Sequence, residues 1–338
     1  MSPTGIIDEN GIFPFYKVEQ LNNCYIELDE TPYRTMQSAV PAHSIIFPKR
    51  GAAIMTNKIR VASKPCQLDT NLMALLLKNN ENVDYKFLFY FIARYNLSKI
   101  ADTSTIPQIN NIHISPIKIT LPSIQEQRKI SKLLTILDTK IETQKKIIEK
   151  YESLIRGLYQ FLFQQAKYDH FVSLGDISQI SNGNSDVKDA SMYNDGSLYP
   201  FFDRSDEIKF LPEYLFDKEA IIYPGEGAEF YPRYYNGKFA LHQRCYAVYD
   251  ISTDFIPRYL YHYCKTQNSY FVRNAVGSTV ASLRLDTFKR LKIPAIPTHH
   301  QESLVMFLDK IEAKIECNRA ILKKYEEQKK YLLFTLFI

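Results

Sequence analysis

Apolar residues follow two kinds of pattern in this chain of 338 residues, and the two alternate along it. Ile130, Leu134, Leu137, Ile141, Gln144, Ile148, Tyr151, Ile155, Leu158 and Leu162 recur in alternating steps of four and three, the spacing of a heptad seam. Leu304, Leu308, Ile311, Ile315, Asn318, Leu322, Tyr325, Lys329, Leu332 and Leu336 repeat that spacing in the same phase. A polar residue (Gln144, Asn318) stands at the same point of each seam. Two long helices are predicted, and pairing them as an antiparallel coiled coil is the simplest way to bury both stripes. A polar seam position fixes register at some cost in stability. About 40 residues at roughly 1.5 Å rise give a rod on the order of 60 Å, a spacer able to hold two globular parts apart. Ahead of each helix the pattern changes to short runs of Ile, Val, Phe and Tyr broken by Pro, Asn and Gly. These predict strands at 220–223 and 239–249 and aromatic-rich helices at 85–97 and 259–271.

The two halves are copies of one another. Ser44-Ile45-Ile46-Phe47-Pro48-Lys49-Arg50-Gly51-Ala52 aligns with Ala220-Ile221-Ile222-Tyr223-Pro224-Gly225-Glu226-Gly227-Ala228, and Phe13-Pro14-Phe15 with Tyr199-Pro200-Phe201. At one offset of 174, Ser104-Thr105-Ile106 falls on Ser278-Thr279-Val280 and Ile117-Lys118-Ile119 on Leu291-Lys292-Ile293. The same offset places Asp138-Thr139-Lys140-Ile141-Glu142 on Glu312-Ala313-Lys314-Ile315-Glu316. The expected fold is α+β: two repeated mixed α/β domains separated by two long helices with pseudo-twofold symmetry. Boundaries are expected at 1–122, 123–164, 165–297 and 298–338.

Composition narrows the setting. Hydrophobic residues at 45% and charged residues at 23% are those of a globular chain and exclude wholesale disorder. Cysteines 24, 66, 245, 264 and 317 are odd in number and form no Cys-x-x-Cys pair, which predicts a reducing, cytoplasmic compartment. No signal peptide or membrane-spanning run is read in the sequence. The net charge of +5 conceals an uneven distribution. Residues 1–48 carry −4 and 49–120 carry +6; residues 168–224 carry −7 and 225–295 carry +5. Both copies are acidic first and basic second. The basic halves offer Lys49, Arg50, Lys58, Arg60 and Lys64, and then Arg233, Lys238, Gln243, Arg244 and Arg284. With Ser278 and Thr279, these are candidates for phosphate anchoring and base-edge reading in double-stranded DNA. A solvated basic face with compensating acids is the plain alternative.

Catalytic motifs are missing from the sequence. It has no Gly-x-x-x-x-Gly-Lys loop and no Asn-Pro-Pro-aromatic tetrapeptide. Gly225-Glu226-Gly227 lacks the third glycine of a dinucleotide fingerprint and reads as a turn, and the adjacent His299-His300 lacks metal-ligand spacing. Asp206, Glu207 and Lys209, with Asp186, Asp189 and Asp195 upstream, form the alternative of a stand-alone metal-dependent nuclease, but the first repeat offers no counterpart. A two-headed protein-binding scaffold is a further alternative. No metal site and no catalytic residue are assigned, and Cys66 and Cys245 are expected to be buried structural thiols.

Several motifs resemble the DNA-specificity subunit of Type I restriction-modification systems. They are Leu174-Gly175-Asp176-Ile177 with Ile180-Ser181-Asn182-Gly183, Pro14-Phe15-Tyr16-Lys17-Val18, Gly277-Ser278-Thr279-Val280, and Leu121-Pro122-Ser123-Ile124-Gln125-Glu126-Gln127 leading into the first long helix. In the second copy the last motif is degraded to Ile296-Pro297-Thr298-His299-His300-Gln301-Glu302. The resemblance implies two target-recognition domains, each reading half of a bipartite DNA sequence, with the helix pair setting the spacer. It also implies a non-catalytic subunit without cofactor. S-adenosylmethionine, ATP and Mg would belong to partner subunits: modification subunits, two of them, and restriction subunits. No membrane partner is implied. One departure stands out. Residues 168–197 precede Leu198-Tyr199-Pro200, but only 11 precede Ile12-Phe13-Pro14. The first domain is therefore expected to lack its opening strand and to be the less stable of the two.

Overall fold

The computed structural model describes residues 7–22, 26–28, 30–78, 81–103, 105–165 and 168–337; Cys24 and Ser104 lie outside them. The chain divides into two units, residues 1–147 with 318–338 and residues 148–317, so the division falls within both long helices.

In the first unit, β1 (Phe13–Tyr16), β2 (Arg34–Thr35), β3 (Ile45–Pro48), β4 (Arg60–Val61), β5 (Gln67–Leu68) and β6 (Leu72–Leu75) form two three-stranded sheets, ordered β2-β1-β5 and β4-β3-β6. β3 is buried along its whole length, as its unbroken Ile45-Ile46-Phe47 run requires. α1 (Tyr85–Tyr95) starts where the Asp84 carboxylate accepts the Phe87 N–H and stops at Asn96 in the left-handed conformation. Its Phe87, Tyr90 and Ile92 join Ile45, Phe47, Ile130, Leu134 and Phe337 in one core. The short α2 (Asn111–Ile114) precedes α3 (Ile124–Tyr159), which widens into a π-helical turn over Gln160–Gln165.

The second unit contains β7 (Phe171–Ser173), α4 (Leu174–Ile177), β8 (Gln179–Asn182), β9 (Tyr199–Phe202), β10 (Lys209–Leu211), β11 (Phe216–Tyr223), β12 (Arg233–Leu241) and β13 (Tyr246–Tyr249). α5 (Pro257–Lys265), α6 (Asn268–Asn274), α7 (Leu285–Lys289), β14 (Lys292–Pro294) and α8 (Thr298–Thr335) follow. Six strands form one sheet, ordered β10-β9-β12-β11-β13-β8, and β14 pairs with β7. β12 crosses this sheet, antiparallel to β11 at one end and parallel to β9 at the other. Its counterparts β4 and β5 make the equivalent pairings separately, with β3 and β1. Pro65 lies between them and has no N–H for a ladder, so the long strand is interrupted and the sheet splits in two.

The helix expected at 259–271 is two helices. Thr266 N bonds Tyr263 O and Gln267 N bonds Cys264 O, tightening the turn, while the Thr266 hydroxyl caps Tyr263 O; α5 ends there and α6 restarts. The apolar run expected as a strand at 239–249 is likewise divided by a turn over 242–245.

In the first unit α3 and α8 run antiparallel. Lys329 Nζ lies 2.5 Å from Asp138, Lys140 sits over the Tyr325 ring, and Gln144 Nε2 donates to the Asn318 side chain at 2.5 Å and its carbonyl at 3.2 Å. Ile130, Leu134, Leu137, Ile141, Gln144 and Ile148 are buried, as are Leu308, Ile311 and Ile315; Leu304, Asn318 and Leu322 are half-buried. Gln144 and Asn318 are repeat equivalents, and in an antiparallel pair of related helices equivalents meet only at the point about which the helices exchange.

Each domain is locked to its helix by one fully buried glutamine. Gln127 accepts the Asp84 N–H at 2.9 Å and donates to Asn82 O and Pro122 O. At the repeat offset, Gln301 accepts the Ile256 N–H at 2.8 Å and donates to Asp254 O and Ile296 O. The Gln-Glu-Gln motif and its degraded copy thus keep the one residue that bonds three backbone groups.

Candidate functional site

In the second unit three loops are bound together by their backbones. Leu283 N donates to Gly225 O at 2.8 Å, Gly227 N to Ala281 O at 3.1 Å, and Val276 and Ser282 exchange bonds that close the loop bearing Ser278 and Thr279. Two glycines permit this. A Cβ at Gly225 would lie 1.7 Å from Arg244 O, so only glycine lets the first loop meet the turn over 242–245. Gly277 has φ +112°, and a Cβ there would lie 2.5 Å from Val280 O. The first unit repeats the clamp: Ile109 N donates to Lys49 O at 2.8 Å, Gly51 N to Pro107 O at 2.8 Å, and Asp102 and Gln108 exchange bonds at 2.9 Å. The frame is common, but the side chains on it differ. Glu226 stands where the first unit has Arg50, and Arg244 where it has Asn71.

A cavity of about 290 Å³ opens among these loops in the second unit, lined by Asp186, Asp203, Arg204, Glu226, Gln243 and Arg244. Arg244 Nη1 lies 2.9 Å from both Glu226 carboxylate oxygens, and the Ser282 hydroxyl donates to the same carboxylate at 3.2 Å. The guanidinium holds the Glu226 carboxyl below its ordinary value. Arg244 is 62% exposed and Glu226 21%, so the acid is set back and the cation faces outward.

The sequence candidates separate by where the structure places them. Gln243, Arg244, Ser278, Thr279 and Arg284 lie on the clamped loops or at their edge, all exposed. Lys49 is half-buried and Arg50 exposed on the equivalent loop of the first unit. Lys238 is exposed on β12, its ammonium 4.8 Å from the Tyr214 ring centre. The remaining cations are engaged within the fold. Lys64 pairs with Glu30 at 2.5 Å, Lys58 donates to Asn22, and Arg60 donates to Ile59 O at 2.7 Å. Arg233 donates to Asp203 O and stacks on Phe202. Arg60 and Arg233 hold the same ladder position, opposite Ile46 and Ile222, which makes them frame residues of the two domains.

Sequence reasoning missed Glu226 and Ser282, because only the folded loops bring them to Arg244 across 18 and 38 positions. It also missed a charged cluster between α5 and α8. Arg258 pairs with Asp309 and Glu312, and Lys265 with Glu312 at 2.5 Å. Fully buried His262 lies 2.8 Å from Asp309 and 2.8 Å from the Tyr159 hydroxyl. Donor atoms of His262, Asp309 and Glu312 fall within 4.8 Å of one another, but two cations already occupy their carboxylates, so the set does not suit a metal. The nuclease trio does not converge either: Asp206 and Glu207 are exposed, while Lys209 is committed to Asp203. Burial pushes the Cys66 thiol up to about 12 and Cys245 to about 11, which leaves neither a nucleophile at neutral pH.

A sequence profile described as the Type I restriction modification DNA specificity domain matches residues 2–153 and again 168–327, one match to each repeat. The chain belongs to that family. It is 25% identical over 221 residues to the Type I restriction enzyme MjaIX specificity subunit of Methanocaldococcus jannaschii, a match covering 56% of this chain and 50% of that protein. The MjaVIII specificity subunit of the same organism is 30% identical over 103 residues, 30% of this chain and 24% of that one. The matched region thus spans half or less of these curated relatives. Among solved structures, the Type I restriction-modification S subunit from M. genitalium superposes with a TM-score of 0.71 at 16% identity, covering 100% of this chain and 92% of that one. A chain from a structure titled for complex assembly and conformational transition of the type I R-M system gives 0.57 at 13% identity, over 96% and 91%. At such identities the likeness is one of fold. Among the described residues no helix is long and apolar enough to cross a membrane.

Proposed function

We propose that the chain is the DNA-specificity subunit of a Type I restriction-modification complex. Each domain reads one half of a bipartite target and the helix pair sets the spacing between halves. The observation that carries this reading is the repeated loop clamp: one backbone frame, built twice, presenting Glu226 and Arg244 in one copy and Arg50 and Asn71 in the other. A reader of two different half-sites needs that combination of constant support and variable side chains. The subunit is non-catalytic and works in the cytoplasm. Methyl transfer from S-adenosylmethionine and ATP- and Mg-dependent cleavage belong to modification and restriction subunits bound to it.

Outward helix positions supply a surface for those partners. Leu133 and Ile136 on α3 and Met306 and Phe307 on α8 are exposed, and Leu133 and Phe307 are repeat equivalents. Two equivalent apolar positions suit two copies of one modification subunit. Leu133→Lys with Phe307→Lys is expected to abolish co-purification of the modification subunit and leave the far-ultraviolet circular dichroism of the chain unchanged; retained co-purification would remove this surface.

The reading as a whole is tested by mapping methylated adenines genome-wide in cells with and without this chain, alongside its modification subunit. A bipartite motif that disappears on deletion is expected. An unchanged methylome, with no co-purification of the two chains, would overturn it.

A further inference from the structure

Resting on that reading, we propose that Arg244 reads a guanine in the half-site bound by the second domain, with Glu226 and Ser282 as the positioning residues that aim its guanidinium. The carboxylate engages only Nη1. Nε and Nη2 have no partner among the described residues, and they present two parallel N–H donors along one edge of a planar group. Guanine offers two adjacent acceptors, O6 and N7, in the major groove. Adenine places an amino donor beside N7, cytosine offers a donor, and thymine a single acceptor with a methyl group.

Charge distinguishes a base edge from a phosphate as the partner. A phosphate seated on this fork would bring anionic oxygens close to a carboxylate already 2.9 Å from the same guanidinium, whereas a base edge is neutral. Arg284, exposed on the neighbouring loop and in no ion pair among the described residues, is the contrasting phosphate-type cation. Arg244 is also preorganised. Its backbone N–H donates to His242 Nδ1 at 3.2 Å, its carbonyl packs on Gly225, and Ser282 steadies the acid that holds its side chain. Less side-chain freedom is therefore lost when the base is bound. In the first domain Asn71 replaces Arg244, so this guanidinium contact belongs to one half-site alone.

The test maps methylated motifs for the wild-type chain and for Arg244→Ala, Glu226→Ala and Arg284→Ala, each expressed with the modification subunit. The purified complexes are then titrated with a duplex carrying the mapped motif over a range of salt. Arg244→Ala should relax one G·C column by about 10- to 100-fold and leave the other half-site intact, with little change in salt dependence. Glu226→Ala should relax the same column less. Arg284→Ala should weaken binding at every column and lower the salt slope by about 1. Wild-type recovery of the complex on purification shows that each variant folds, as the exposure of both arginines leads one to expect. The proposal is overturned if Arg244→Ala preserves every column, relaxes a column that is not G·C, or behaves as Arg284→Ala does. A wild-type chain that yields no bipartite motif would instead overturn the specificity-subunit reading and the proposal with it.

Discussion

At the scale of the residue, two buried polar side chains carry consequences that can be measured. Gln301 is fully buried and bonds three backbone groups, so Gln301→Leu keeps the volume and strands a donor and two acceptors. It should cost about 2 to 5 kcal/mol of stability, read as a lower denaturation midpoint, whereas neighbouring Glu302→Ala, exposed, should cost less than about 0.5 kcal/mol. His262 titrates below its ordinary value because burial, the largest influence, disfavours the charged ring more strongly than Glu312 and Asp309 favour it; Arg258 adds to the lowering. The folded state therefore keeps the ring neutral where the unfolded chain takes up a proton. The stabilisation is complete above about pH 6.5 and is lost as pH falls below it toward the folded value. Asp309 and Glu312 are also held below their ordinary values, but those lie at 3.8 and 4.5, so their share is lost only at lower pH. Thermal melts between pH 7.5 and 5 should show a falling midpoint for the wild-type chain and a flatter profile for His262→Gln; parallel profiles would exclude His262 as the titrating group. Gln127 and Gln301 could be seen in the sequence as a repeat match, but their role could not, because their partners lie up to 47 positions away.

At the scale of the element, periodicity read the long helices well and the short ones less well. Heptad spacing is a local property of the chain, and α3 and α8 follow it. The break between α5 and α6 is not visible in the apolar pattern, since the Thr266 hydroxyl bond that ends α5 competes with helix continuation without changing hydrophobicity. Nor does the pattern reveal that the two polar seam residues touch. Asn318→Leu removes the side-chain acceptor of Gln144, leaving it only the carbonyl at 318, and should destabilise the chain by about 1 kcal/mol. Replacing both, Gln144→Leu with Asn318→Leu, should restore or exceed wild-type stability, because an apolar seam needs no buried partner. Denaturant titration of the three chains checks this, and a double variant less stable than the single one would refute it.

At the scale of the whole molecule, the repeat is complete in its frame and unequal in its edges. In the second unit β7 covers β14 and β8 covers the outer edge of β13. In the first unit the segment 118–120, equivalent to β14, forms no strand, and β6, equivalent to β13, is the last strand of its sheet among the described residues. Fewer closed ladders mean lower local stability. Limited proteolysis should cut within residues 7–122 before residues 168–297, and equal resistance of the two would contradict it. The sequence by itself determined the repeat, its two long helices and the basic second half of each copy, because periodicity and charge are written along the chain. Tertiary structure alone decided which basic residues remain available. Lys58, Lys64 and Arg233 found partners within the fold, and Arg244 acquired the Glu226 carboxylate that orients it, since each of these pairings depends on loops distant in sequence being brought within hydrogen-bond reach.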